Sequence, residues 1–534
     1  LILASLTCAA PAQTANTPPI FEEWVVVVLD HKTCGYGSTI TTAITTPSGP
    51  GFLTNHQEEF VVKRAGSSLK ITETSKVTED ADGGVLSFDD VSDAGSAVEV
   101  SGVREGDTMV VSSRGQTERF NLPRLAALGP ERVRRMTLSV PLKPGQKFSF
   151  DTFDPQYPHA VSTESGVVVA REMHDVRGVK RDLWRTTSEV SYMPGMLSTT
   201  WVDDQANDVE SITVLPGLGT LHEYVTTREE CMRQPEGAEV FTSTMIRPDR
   251  PLRDIDNLGE AIYRLVPTSL DKPPQLWDGG EQRILASTSG GTELSVTVPR
   301  YTAADAAWSL PHADTPELHR FLQPSAYLEV NSPEIQALGP QAVGGERNPV
   351  AAAHRIEKFV RAYITKKDLN IGFASAQETA RSREGDCTEH AVLCAALGRA
   401  VGLPTRCVVG FGYIPPGRDE PTIAPGIDNS TGIFGFHMWA EAWIGPDEWV
   451  PMDAALGSFD VGHIAICKSA LEEVDPIVDL NTPVLRIMEG LKIEVLQTVP
   501  KDKLAADRPP TSAMSSDVPT PPAPERRSNL PPLD

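Results

Sequence analysis

Several things are scarce in this sequence, and each shortage excludes something. Cysteine is rare: seven in 534 residues, six of them after Cys8, too few for a disulfide-stapled scaffold. No two are spaced Cys-x-x-Cys and no His-x-x-x-His pair occurs, so a zinc module is not expected and no metal is assigned. Long apolar runs are missing. The run at the start covers about ten residues, too short to span a bilayer, and no later segment is long and apolar enough for a transmembrane helix. Positive charge is in deficit, with 48 Lys and Arg against 72 Asp and Glu and a net charge of -24. That balance argues against nucleic acid or an anionic membrane surface as partner.

What is present divides into regions. Residues 1–12 end in Ala10-Pro11-Ala12 after the apolar run and read as a signal peptide remnant, so the expectation is an exported protein, periplasmic or extracellular. Ser5-Leu6-Thr7 fits poorly before a lipidated Cys8. Residues 21–235 read as a β-rich N-terminal domain, with strands expected at 24–29, 69–74, 97–101, 108–112, 136–140, 166–170, 186–190 and 198–202. Their polar–apolar alternation leaves one sheet face wet. Cys34 and Cys231 lie in this region, placed so that pairing is open. No catalytic constellation is found there.

A second β-rich segment spans 239–327, with strands at 261–266 and 293–298, as a small sandwich or an extension of the first sheet. Residues 328–349 are rich in turn formers and read as a connector. The catalytic domain is set at 334–498, opened by an amphipathic helix over 350–364 whose apolar side carries Ala353, Ile356, Phe359, Val360 and Tyr363. Residues 415–432 form a long Pro- and Gly-containing loop, a lid or a surface insertion. Strands are expected at 459–467 and 493–497, with a helical turn at 468–473 between them. Residues 500–534, rich in Pro, Ser and Asp, are expected to be disordered.

The chemistry concentrates at Arg383-Glu384-Gly385-Asp386-Cys387-Thr388-Glu389-His390-Ala391. Asp386 is a helix N-cap candidate, and Ala391, Leu393, Cys394, Leu397 and Val401 recur at helical spacing until Gly402 and Pro404. Cys387 therefore falls in the first helical turn, where backbone N–H groups favour an anion. A thiol attacks a carbonyl as thiolate, and its ordinary pKa of about 8.5 is lowered by a helix N-terminus or an imidazolium. Glu389 and His390 are read as structural hydrogen-bonding residues. Further on, His437, Trp439, Glu441 and Trp443 share one face of a strand, and Met438, Ala440 and Ala442 the other. Gly445-Pro446-Asp447 is a turn, and Trp449 to Asp453 the returning strand. Folding at Gly445 brings His437 and Asp453 opposite each other within a residue or two, as a base and its orienting carboxylate require. The Cys387 backbone N–H is the expected first oxyanion donor, and Gln377, ten residues upstream, a candidate for the second. The tryptophans between 439 and 449 are read as hairpin packing.

Three motifs in this order, Gly-Asp-Cys-Thr-Glu-His-Ala, Gly-Phe-His-Met-Trp-Ala-Glu-Ala-Trp and Trp-Val-Pro-Met-Asp, with Gly-Leu-Pro-Thr-Arg between the first two, resemble the core of the bacterial transglutaminase-like superfamily. The likeness runs from about Glu334 to Leu456, roughly a quarter of the chain. It implies an α+β, papain-like core, a nucleophile helix packed on an antiparallel sheet, behind a β-rich N-terminal region. It also implies Cys387 as nucleophile, His437 as base and Asp453 as its orienting group, with no cofactor. The expected activity is thiol acyl transfer on amide bonds of peptides or proteins, as protease or amidase if water accepts, or of transglutaminase type if an amine does. The competing expectation is an inert envelope module that binds or assembles through its β-rich half.

Overall fold

The computed structural model describes residues 18–504, apart from 30, 65–66, 157, 159–160, 192–195, 216–218, 234, 240–244, 269–274, 368–372, 418–428, 473–483, 485–486 and 488–489. The expected signal segment, residues 505–534 of the expected tail and the middle of the 415–432 loop lie outside the described residues. The described chain is mostly β-sheet with few helices.

Its first half is one long sheet. The strands are β1 (Phe21–Leu29), β2 (Lys32–Thr46), β3 (Gly49–Arg64), β4 (Ser67–Asp80), β5 (Val85–Asp93), β6 (Ala97–Glu105), β7 (Thr108–Ser113) and β8 (Gln116–Asn121). After helix α1 (Pro130–Leu138) come β9 (Lys147–Thr152), β10 (Ser162–Val176), β11 (Val179–Val190), β12 (Leu197–Val202), β13 (Asp208–Leu215) and β14 (Gly219–Val225). Each strand pairs antiparallel with its sequence neighbour within each group, and β1 joins β14, which links the two groups. A short helix α2 (Arg228–Cys231) follows, and β15 (Ala238–Glu239) adds to β3 in parallel. Alternation drives the pairing: in β6, Val98 and Val100 are buried while Ala97 and Glu99 are exposed. Cys34 and Cys231 are both buried thiols, not joined to each other.

One expected strand here is a helix. Residues 136–140 were predicted as β from Met-Thr-Leu-Ser-Val, but α1 runs through Leu138. Pro130 opens it, and buried Glu131 accepts from Arg134 at 2.8 Å and Arg135 at 2.6 Å, three and four residues on. Charges at helical spacing and a proline at the first position outweigh a short β-prone run.

The second half holds two 4-stranded sheets. In one, β16 (Leu258–Pro267) lies between β18 (Gly291–Thr297) and β23 (Leu491–Pro500), with β17 (Gln282–Thr288) outside β18. This sheet is separate from the long one and is completed by a strand from beyond the motif region. The other has the order β21 (Glu448–Met452), β20 (Ile433–Gly445), β19 (Thr405–Ile414), β22 (His463–Ser469). Lys468 and Ser469 end β22 rather than starting the expected helical turn. Against β20 lie α4 (Pro349–Tyr363) and α6 (Cys387–Ala400), with α3 (Pro333–Val343) and α5 (Ala376–Ser382) packed on α6. The connector expected at 328–349 thus contains a helix. Ser332 accepts the Ile335 N–H, Pro333 takes the first position, and Gly344 closes the end in the left-handed region. The turn formers are its caps. The main core runs without a break from Val77, Phe88 and Met109 of the long sheet to Leu393 and Met438. Among the described residues no helix is long and apolar enough to cross a membrane.

Candidate active site

Helix α6 begins as its sequence dictates. The Asp386 carboxylate accepts from the backbone N–H and the hydroxyl of Thr388, both at 2.9 Å. Glu389 reaches back to the Asp386 N–H at 2.8 Å and completes a capping box. It also accepts from the Ala374 N–H at 2.7 Å, and its Oε1 lies 2.9 Å from the Thr388 hydroxyl oxygen. Burial and then the charge of Asp386 push its carboxyl up to about 8 against these donors. Gly385 must be glycine: its φ is 151° and an added Cβ would lie 2.3 Å from Glu389 Cβ. The His390 Nδ1 meets the Asp386 carbonyl at 2.6 Å, and burial holds His390 below its usual range. Glu389 and His390 are therefore bound into the helix start. Every residue from Thr388 to Arg399 is buried, whereas Cys387, the first residue of α6, is half-buried.

The hairpin of β20 and β21 carries the other two residues. Trp443 pairs with Trp449, Ala442 with Val450 and Ala440 with Met452, around a turn at Pro446-Asp447. Asp453 follows β21 directly, diagonal to His437, and its Oδ2 lies 3.0 Å from His437 Nε2. The faces divide as expected: Met438, Ala440 and Ala442 enter the main core, while Trp439 packs with Val408 and Ala465 on the side of His437. Gly412 of β19 makes room for the imidazole, since a Cβ there would stand 2.7 Å from His437 Cγ. Asp453 is buried. Its Oδ1 accepts from the Ala455 N–H at 2.9 Å and the Leu456 N–H at 3.1 Å. Burial opposes its charge, but His437 and His463 hold the carboxyl well below its ordinary value.

The segments bearing Cys387 and Asp453 are tied together. The Gly385 N–H donates to the Lys366 carbonyl at 3.1 Å, and Lys367 Nζ donates to the Ala455 carbonyl at 3.1 Å. Glu357 of α4 accepts the Asp453 N–H at 2.8 Å. The charge of Asp453 acts on His390 and Cys394 of α6. Gln377 is placed differently. Its side-chain amide donates to Glu334 of α3 at 2.9 Å, and its backbone N–H to Glu329 at 3.0 Å. The amide that was the candidate oxyanion donor is thus engaged with a carboxylate.

The sequence reading missed His463. Its Nε2 lies 2.9 Å from Asp453 Oδ2, and its Nδ1 3.0 Å from Asp460 Oδ1. The signal was an Asp-x-x-His step, Asp460 to His463, opening a strand shortly after Asp453. Among the described residues, His437, Asp453 and His463 are the group close enough to hold a metal ion, with ligand atoms within 4.8 Å of one another. Each of its nitrogen–oxygen pairs sits at ordinary hydrogen-bond distance, so shared protons account for it. The hairpin tryptophans pack as expected. Trp443 stacks on Trp308, and Trp449 lies under the Arg406 guanidinium at 3.8 Å.

Residues 336–454 match the transglutaminase-like superfamily. The chain therefore carries a transglutaminase-like domain, and that stretch contains Cys387, His437 and Asp453. No curated protein matches. Among solved structures, a β-barrel-like protein of unknown function from Brucella abortus is 14% identical, with a TM-score of 0.29, over 39% of this chain and 95% of its own. A candidate cysteine protease from Cytophaga hutchinsonii is 16% identical, with a TM-score of 0.26, over 47% of this chain and 82% of its own.

Proposed function

We propose that the protein is a thiol acyl-transfer enzyme acting on amide bonds of peptides or proteins, with Cys387 as nucleophile, His437 as base and Asp453 as the group that orients it. The observation that supports this most is the 3.0 Å contact between His437 Nε2 and the Asp453 carboxylate. A carboxylate only accepts, so Nε2 carries the proton and Nδ1 is the nitrogen that exchanges one. Cys387 stands at the start of a buried helix whose end favours an anion. In the reaction, the Cys387 sulfur bonds to the amide carbon while Nδ1 takes the thiol proton. That proton passes to the leaving nitrogen as the C–N bond breaks. The acyl-enzyme then passes to water, as in a peptidase or amidase, or to an amine, as in a transglutaminase.

The test is the pH dependence of Cys387 alkylation by iodoacetamide, followed by mass spectrometry, in wild type and His437→Ala. The expected result is labelling that persists at about pH 6 and is lost without His437, whereas an ordinary thiol titrates near about 8.5. Equal profiles near 8.5 in both proteins would reduce the domain to a scaffold for whatever the long sheet binds. Cys387→Ala should abolish turnover and leave the melting temperature unchanged, since a half-buried thiol at a helix start contributes little packing.

A further inference from the structure

We infer that His463 is a positioning residue of this site: its ring, clamped between Asp460 and Asp453, holds the Asp453 carboxylate against His437 and sets the charge under which Cys387 ionises. The inference rests on the catalytic reading proposed above and extends it by one residue, from outside the stretch that matches the family.

The geometry assigns the protons. Asp453 Oδ2 faces His463 Nε2 at 2.9 Å, and Asp460 Oδ1 faces Nδ1 at 3.0 Å. The Asp460 carbonyl lies 3.2 Å from Nδ1, as does the Asp460 backbone nitrogen. Two oxygens, one of them charged, outweigh that single N–H. With a carboxylate on each side, both ring nitrogens carry protons and the ring is an imidazolium. Its side chain has no solvent exposure. Phe459 lies 4.7 Å away and the Trp439 ring stands perpendicular to it at 5.2 Å, between ring centroids, so the ring is enclosed by aromatic side chains. Asp453 then receives four donors: His437 and His463 on one oxygen, the Ala455 and Leu456 N–H groups on the other. That fills the acceptor sites of a carboxylate. Without His463 one site is empty, and His437 is the one imidazole left to hold Oδ2 in place.

The charge matters as much as the contact. The His463 and His437 ring centroids are 5.5 Å apart. The titratable groups facing His463 are Asp453, Asp460 and His437. Beyond them are Glu357 of α4 behind Asp453, His390 and Cys394 of α6, which feel Asp453, and Tyr263 and Tyr413, which feel Asp460. Burial opposes the charge on His463, but Asp453 and Asp460 hold its proton up to about 10. A permanent cation here favours the Cys387 thiolate, and removing it makes every nearby group keep its proton to higher pH.

The test reads the acid limb of Cys387 alkylation by iodoacetamide in wild type, His437→Ala, His463→Asn and Asp460→Asn. The expected result is a limb about one pH unit higher in His463→Asn. In Asp460→Asn it moves the other way, by less, because a negative charge is lost while Asp453 keeps the ring protonated. Loss of packing alone would not send the two variants in opposite directions. A second measurement needs no variant: ¹⁵N-histidine NMR of the wild-type protein should show one ring with both nitrogens protonated at about pH 9, where an ordinary histidine is neutral. An unmoved limb in His463→Asn, shifts of the same sign in both variants, or no charged ring at that pH would each overturn the role of His463. If wild type and His437→Ala instead coincide near the ordinary thiol value, the catalytic reading itself falls, and the inference falls with it.

Discussion

At the scale of single residues, the site turns on one buried carboxylate. Asp453 accepts from two imidazoles and two backbone N–H groups. Replacing it with Asn keeps the shape and puts an amide where two rings must donate. In the proposed mechanism, His437 then adopts the other tautomer, with its proton on the nitrogen that should serve the thiol. Asp453→Asn should slow turnover by about 10⁴-fold. It should also cost stability, because the His463 imidazolium loses a buried partner, and breaking such a pair costs about 3–5 kcal/mol. Turnover assays and denaturant unfolding on the same preparation check both. A variant with normal stability and undiminished turnover would remove Asp453 from the mechanism.

At the scale of elements, the sheet of β19 to β22 is built to hold one imidazole. Glycine at two positions of β19 is what lets it do so. A Cβ at Gly410 would lie 1.9 Å from the Ile464 carbonyl, in the ladder with β22. A Cβ at Gly412 would meet the His437 side chain first, with Cγ, Cβ and Cδ2 2.7 to 2.9 Å away. The two substitutions should separate. Gly410→Ala forces backbone apart and should prevent folding to the native sheet. Gly412→Ala should fold, displace the His437 side chain by a few tenths of an ångström or more, and lower turnover by about 10²-fold, the cost of a reacting group misplaced by about 1 Å. Circular dichroism and turnover, measured together, distinguish the two. On the same sheet, Glu441 of β20 binds Arg406 of β19 and Lys468 of β22, each at 2.7 Å, a buried charge set that ties β20 and β22 across β19, which lies between them.

At the scale of the whole molecule, the long sheet is fastened to α5, the element before Cys387. Arg114, just past β7, reaches Glu378 at 3.1 Å and Glu329 at 3.5 Å, and Ser96 donates to Glu378 at 2.6 Å. Glu378 is also the capping-box residue of α5, which ends at Ser382, shortly before Cys387. Arg114→Ala leaves two carboxylates without their cation and should destabilise the junction by about 2 kcal/mol, seen as earlier cleavage between the halves in limited proteolysis. The pH dependence of stability is also a property of the whole. Burial raises Glu23 and Glu223 to about 7 and Asp208 to about 6 in the long sheet. His463 is raised to about 10. A group whose folded pKa is raised contributes stability that is complete below its unfolded pKa and is lost as pH rises through the folded one. The carboxylates act from about 4 to 7 and His463 from about 6.5 to 10, all with the same sign. The melting temperature should therefore be higher at about pH 5 than at about pH 9. His463→Asn should flatten the upper part of that decline.

Local chemistry was enough to read much of this from the chain. The cap and first turn at Asp386-Cys387 depend on neighbours within four residues. The approach of His437 and Asp453 depends on a period of two and a turn between them, so it could be counted along the chain. Strand 136–140 failed because the Glu131–Arg134–Arg135 pattern and Pro130 lay just upstream and favoured a helix. The turn formers at 332–344 were helix caps for the same reason, local signals that two structures share. What only the tertiary structure decided was non-local. Alternation says which face a residue takes, not which strand lies beside it. Nothing in the run around His463 says that β22 lies beyond β19 and delivers its ring to Asp453. Nothing in Leu491–Pro500 says that it pairs with Leu258–Pro267, or in Gln377 that its amide turns to Glu334. Strand order and buried polar partners are settled by the packing of the whole chain, because only there does each buried donor and acceptor find what satisfies it.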